Sequence, residues 1–151
     1  MKNALKLILA VCLMMFGIEA AIAAEDLQLA PGLSFTSDSG PFPIIATNLH
    51  DATIEPGRPH LIFFGAASDL NTNRQAKRFV DLYKKRKASA LKFIVVDVDH
   101  PTSSEAKALI TKYYPGYVPA SLLLDKQGKT VWSQVGEVSR RKIRARVGGT
   151  L

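Results

Sequence analysis

The sequence predicts an α/β domain, and three observations carry that prediction. Two unbroken apolar runs, Leu61, Ile62, Phe63, Phe64 and Phe93, Ile94, Val95, Val96, have the length and composition of strands buried on both sheet faces. Each run is followed by a stretch whose apolar residues recur at helical spacing. Further on, residues 121–124 and 129–135 flank Asp125, Lys126, Gln127 and Gly128, the pattern of a short hairpin.

Taken in order, residues 25–43 form a turn-rich segment containing Pro31, Gly32, Gly40, Pro41 and Pro43. Ile44, Ile45 and Ala46 are expected as a first strand at the sheet edge. Pro56, Gly57 and Pro59 make the turn that sets up the buried strand 61–64. In residues 71–87, Ala76, Phe79, Val80 and Tyr83 lie on one helical face. Ala106, Leu109, Ile110 and Tyr113 repeat that spacing in a helix announced by Pro101 and by Thr102 and Glu105 at capping-box distance. Gly128 suits the left-handed position of the hairpin turn. The last helix, residues 139–147, offers Ile143 and Val147 as its clear apolar pair and is expected to be short and loosely docked.

The start of the chain reads as a signal peptide, residues 1–24. Lys2 and Lys6 precede an apolar stretch over residues 7–18, and Ala21, Ile22, Ala23 supply the cleavage pattern. That stretch is shorter than the roughly 20 residues of a spanning helix, so no transmembrane span is expected after processing. The mature chain is expected to be periplasmic or secreted. Cys12, the single cysteine, would leave with the leader, and Val11 before it does not suit lipidation. The chain carries +7, concentrated in Lys84, Lys85, Arg86, Lys87 and in Arg140, Arg141, Lys142. These clusters read either as solvated helix ends or as a surface for anionic lipid, nucleic acid or an acidic protein.

The order of landmarks adds a family resemblance. The run 61–64 leading through Gly65, Ala66, Ala67 to Ser68, the run 93–98 before His100 and Pro101, the Gly116, Tyr117, Val118, Pro119 segment, the hairpin, and Val135, Gly136 together resemble the thioredoxin-like family over residues 44–147. The resemblance implies a thioredoxin-like domain over residues 44–151, a central mixed sheet flanked by helices. Family members carry Cys-x-x-Cys at the start of their first long helix, where a thiolate is stabilised. Here the matching residues are Ser68, Asp69, Leu70 and Asn71. Ile62 stands where the family has a buried carboxylate, and Ala67 where it has an aromatic. No catalytic residue, cofactor or metal is therefore expected. Ser68, Asp69 and Asn71 also read as helix caps.

Other chemistries fare poorly. Ser68 as a nucleophile needs a base, and neither His50, His60 nor His100 can be set beside it from sequence. Asp97 and Asp99 alternate along a strand, and with His100 they read as a helix entry rather than a metal site. The resemblance implies a cis bond before Pro119 and a Val118 backbone that pairs with an extended peptide; a purely structural turn is the other reading. The expected binding residues are Ser68, Asp69, Leu70, Asn71, Tyr117, Val118 and Pro119. The expected function is non-catalytic binding of a protein or extended peptide. Alternatives are an oxidoreductase relative using a partner's cysteines, or a basic protein that binds an anionic surface.

Overall fold

A computed structural model describes residues 26–47, 49, 51–86 and 89–151. The leader with Cys12, together with His50 and Lys87, lies outside the described residues. The elements are β1 (Gln28–Leu29), β2 (Ile44–Ile45), β3 (His60–Gly65), α1 (Leu70–Arg86), β4 (Lys92–Asp97), α2 (Ser104–Tyr113), β5 (Ala120–Leu124), β6 (Thr130–Val135) and α3 (Arg140–Gly148). The main sheet runs β4-β3-β5-β6, with β3 parallel to β4 and antiparallel to β5. It is a mixed sheet with helices on both faces.

The alternation of side chains along each strand divides the core in two. Leu61, Phe63, Phe93, Val95 and Leu123 meet Ala76, Phe79, Val80 and Tyr83 of α1 and Ile143 and Val147 of α3. Ile62, Phe64, Ile94, Val96, Leu122 and Leu124 meet Ala106 and Leu109 of α2. Burial on both faces is why the strands read as continuous apolar runs. Within the first cluster, Phe93 meets the rings of Phe79 and Tyr83 edge-on, each at 5.3 Å between centroids.

The structure corrects three local expectations. Ile44 and Ile45 do not join the main sheet; they pair antiparallel with Leu29 and Gln28, a strand that no local pattern announces. The ribbon forms because Leu27 and Ile44 both bury in the α1-side core, which brings the two segments together. The cap of α2 is Ser103, whose hydroxyl accepts the Ala106 N–H at 3.1 Å, one residue later than Thr102. Ser139 likewise caps α3. That helix is firmly seated, since Ile143 and Val147 are buried to within 1% exposure. At the hairpin, the Asp125 carboxylate accepts the N–H groups of Gln127 and Lys129, and Gly128 has φ 76.

At the end of the sheet where β3 and β4 begin, a buried cation organises the loop before β3. Lys92 Nζ, 1% exposed, donates to Asp51 Oδ2 at 3.0 Å, Glu55 Oε1 at 2.8 Å and the Thr53 carbonyl at 3.0 Å. Burial alone would lower the Lys92 pKa, but its hydrogen bonds to the two carboxylates outweigh that and raise it. Glu55 is lowered chiefly by the Lys92 bond; Asp51 is also lowered, the bonds from Lys92 and Thr53 outweighing its burial. Beside them His60 is wholly buried, and its Nε2 accepts the Glu55 N–H at 2.9 Å. Burial, helped by the Lys92 charge, pushes His60 down to about 4.

Candidate binding site at the start of α1

The site lies at the opposite end of the sheet, where β3 runs out. Gly65 is the last residue of β3, and nothing larger fits there: a Cβ would stand 2.7 Å from Thr72 Cγ2 and 2.8 Å from the Phe63 ring. The chain then turns through Ala66, Ala67 and Ser68, and Ser68 takes φ 54. Asp69 caps the helix, its Oδ1 accepting the Thr72 N–H at 2.6 Å. The Leu70 N–H is taken by a second carboxylate, Asp38 Oδ1, at 2.9 Å.

Asp38 belongs to the turn-rich segment, which folds over the start of α1. Ser68 Oγ donates to the Gly40 carbonyl at 3.1 Å. Asn73, wholly buried, donates from Nδ2 to the carbonyls of Ser34 at 2.8 Å and Ser39 at 3.3 Å. Arg74 donates from Nε and Nη2 to the Phe35 carbonyl. The free N–H groups and positive dipole end of a helix favour anions. Here two of the chain's own carboxylates occupy them, where a redox member of the family places a thiolate.

Across the sheet end lies the loop that precedes β5. Phe64 pairs with Ala120, so the turn after β3 and the residues before Ala120 emerge side by side. The Val118–Pro119 peptide bond is cis. The Pro119 carbonyl accepts the Gly136 N–H at 2.8 Å, which ties the loop to the residue after β6. Tyr117 is 71% exposed. The Val118 N–H and C=O have no hydrogen-bond partner among the described residues.

Of the residues expected from sequence, Asp69 alone serves as the α1 cap. Ser68 turns its hydroxyl to the folded-over segment, and Asn71 is exposed in the first turn of the helix. Leu70 is half-buried. Ile62, at the position of the family's carboxylate, is wholly buried between Ile94 and Leu122. Among the described residues no imidazole meets Ser68: His60 is at the other end of β3, and His100 is 80% exposed with Nδ1 3.7 Å from Asp97 Oδ2. Asp97 Oδ1 accepts the N–H groups of Asp99 and His100, closing the turn into α2. The basic clusters lie on α1 and α3, with Arg140 bonded to Asp81 at 3.0 Å. Asp38, Gly40 and Asn73 were missed, because nothing local to residues 34–40 announces a partner 28 or more residues ahead.

No known family profile and no curated protein matches the chain. Solved structures do. Thioredoxin-2, described as a component of the malaria parasite protein secretion machinery, aligns with a TM-score of 0.54 at 16% identity over 66% of this chain and 89% of its own. StoA from Bacillus subtilis aligns with a TM-score of 0.52 at 12% identity over 81% and 96%. A malarial protein aligns with a TM-score of 0.51 at 19% identity over 62% and 98%. The chain is a thioredoxin-fold domain whose first long helix begins without the Cys-x-x-Cys pair. Among the described residues, no helix is long and apolar enough to cross a membrane.

Proposed function

We propose that this chain is exported and acts as a non-catalytic binding module, holding an extended peptide or a segment of a protein against Ser68, Asp69, Leu70 and Asn71 on one side and Tyr117, Val118 and Pro119 on the other. One observation carries the reading. At the start of α1 Asp38 and Asp69 take the Leu70 and Thr72 N–H groups and Ser68–Asn71 contains no cysteine, while the adjacent Val118 backbone is unpaired among the described residues and Tyr117 stands in solvent.

An unpaired N–H and C=O at the edge of a loop can take one rung of a strand-like ladder. A solvent-facing tyrosine gives such a contact apolar area and a hydroxyl at little conformational cost. Affinity then comes from backbone pairing and the tyrosine, and no electron or proton transfer is needed. Export rests on the leader read in residues 1–24, and the compartment is periplasmic or extracellular.

The test is fluorescence anisotropy with a panel of labelled extended peptides. Tyr117→Ala is expected to weaken binding about tenfold, in line with the loss of an exposed aromatic anchor. Lys107→Ala, on the far side of α2, is expected to leave it unchanged. Peptide binding that is indifferent to Tyr117 would refute the placement.

A further inference from the structure

Two basic clusters distant in sequence form one face of the fold. α1 holds Arg74, Lys77, Arg78, Lys84, Lys85 and Arg86 against Asp81, and α3 holds Arg140, Arg141, Lys142, Arg144 and Arg146 with no acid. Eleven of the chain's 20 Lys and Arg are thus set against one of its 13 Asp and Glu. The two helices carry +10 in a chain of +7, so everything else is net negative. Both helices pack in the same core cluster on one side of the sheet. Their outer surfaces meet where Arg140 reaches Asp81, a carboxylate that Lys77 also approaches at 3.6 Å.

Helix-end electrostatics does not explain this distribution. Cations suit only the last turn of a helix. Arg74, Lys77 and Arg78 sit in the first half of α1, and Arg140, Arg141 and Lys142 open α3, where the dipole opposes them. Among the described residues, Asp81 and Glu137 are the carboxylates that pair with this layer, through Lys77, Arg140, Arg78 and Arg74. Lys84, Lys85, Arg141 and Arg144 are exposed and have no ion pair among the described residues. A like-charged field of this size costs self-repulsion and raises the local concentration of anions. At the seam, Phe35, 39% exposed, borders a shallow depression with Arg74, Lys77, Arg78, Asp81 and Arg140.

We propose that the α1/α3 face docks on the surface of an anionic phospholipid bilayer. A broad cationic face is the complement of a bilayer's diffuse negative charge, and each Lys or Arg held near it adds attraction. Phe35 supplies an apolar ring at the rim of that face, suited to the headgroup boundary. A nucleic-acid surface fits less well, since no row of aromatic residues lies among the cations to stack bases. The export expected from the leader also brings a bilayer within reach. This face is separate from the Ser68 and Val118 site, and either assignment stands without the other.

The experiment is co-sedimentation of the full chain with phosphatidylglycerol/phosphatidylcholine vesicles and with phosphatidylcholine vesicles alone, across a salt series. Binding is expected to the anionic vesicles only, and to fall as salt rises. The pairs Lys84→Glu/Lys85→Glu and Arg141→Glu/Arg144→Glu are each expected to weaken it by more than about tenfold, near fivefold per charge removed. Lys107→Glu/Lys112→Glu on α2 makes the same change in net charge across the sheet and is expected to act far less. Four results would overturn the proposal: no binding to anionic vesicles, equal binding to neutral ones through the apolar leader, equal loss from the α2 pair, or tighter binding to a duplex DNA probe at the same salt.

Discussion

Asp38 Oδ1 accepts the Leu70 N–H at 2.9 Å across 32 residues of sequence, and so a segment preceding the sheet supplies an anion to the start of the first long helix. Asp69 satisfies the Thr72 N–H two residues further on. Together the two carboxylates cap the start of α1.

Removing the Asp38 carboxylate is expected to cost about 0.5–2 kcal/mol, the range for losing a helix N-terminal acceptor. Asp38→Ala should lower the urea midpoint by that amount and speed hydrogen exchange of the Leu70 amide. Asp38→Asn, which keeps an acceptor oxygen, should recover most of the loss. Unchanged exchange at Leu70 in Asp38→Ala would show that the contact contributes nothing.

The mature chain, without Cys12, is expected not to accelerate the reduction of insulin disulfides, since neither Ser68 nor Asn71 can form a mixed disulfide. Ser68→Cys with Asn71→Cys should give measurable but weak turnover. Asp38 would compete with the new thiolate for the helix start, and Ile62 offers no carboxylate to move its proton. Adding Asp38→Ala to that pair should lower the new thiol's pKa and raise the rate, read by thiolate absorbance and turnover.

Acid should destabilise the protein from the far end of the sheet. His60 falls to about 4 in the folded chain from 6.5, so between those values the unfolded chain gains a proton that the folded one refuses. Stability is therefore full above about pH 6.5 and declines as pH falls toward 4, by on the order of 3 kcal/mol. The lowered Glu55 and Asp51 add a further loss as pH falls through their own folded values. His60→Gln, which can still accept the Glu55 N–H, should flatten the slope between pH 6.5 and 4 in urea titrations. An unaltered slope would rule His60 out as its source.

The Lys92 cluster should respond asymmetrically to mutation. Asp51 and Glu55 are each 41% exposed, so Lys92→Met returns both to water at modest cost. Asp51→Ala with Glu55→Ala leaves a cation of 1% exposure without its carboxylates, which costs about 3–5 kcal/mol. The double variant should therefore unfold at clearly lower urea than Lys92→Met. The reverse order would mean that the ammonium is solvated in the folded protein.

The parts of the fold with strong periodicity were legible in the sequence, and the parts set by distant pairing were not. Phe79, Val80 and Tyr83 announced α1, and the two apolar runs announced β3 and β4, because burial on one face or both leaves a pattern within a few residues. Gln28 and Leu29 carry no such pattern; their strand exists because Leu27 and Ile44 share a core. The same holds at the site. Ser68 to Asn71 and Tyr117 to Pro119 could be singled out as candidates from the family's order of landmarks. Asp38 and Gly40 could not, since their partners are set by how the lead segment crosses the helix. The basic stretches were visible too, but their union into one face required α1 and α3 to be laid side by side.

The central claim, that a partner pairs with the Val118 backbone beside the start of α1, is tested most directly by amide NMR of the isotope-labelled protein titrated with a binding peptide. The account predicts that the largest shifts fall on Tyr117, Val118 and residues 67–71, with Val118 N–H gaining protection from exchange, and that Tyr117→Ala suppresses them together. Shifts centred elsewhere, or a Val118 amide that exchanges equally fast with and without saturating peptide, would contradict it.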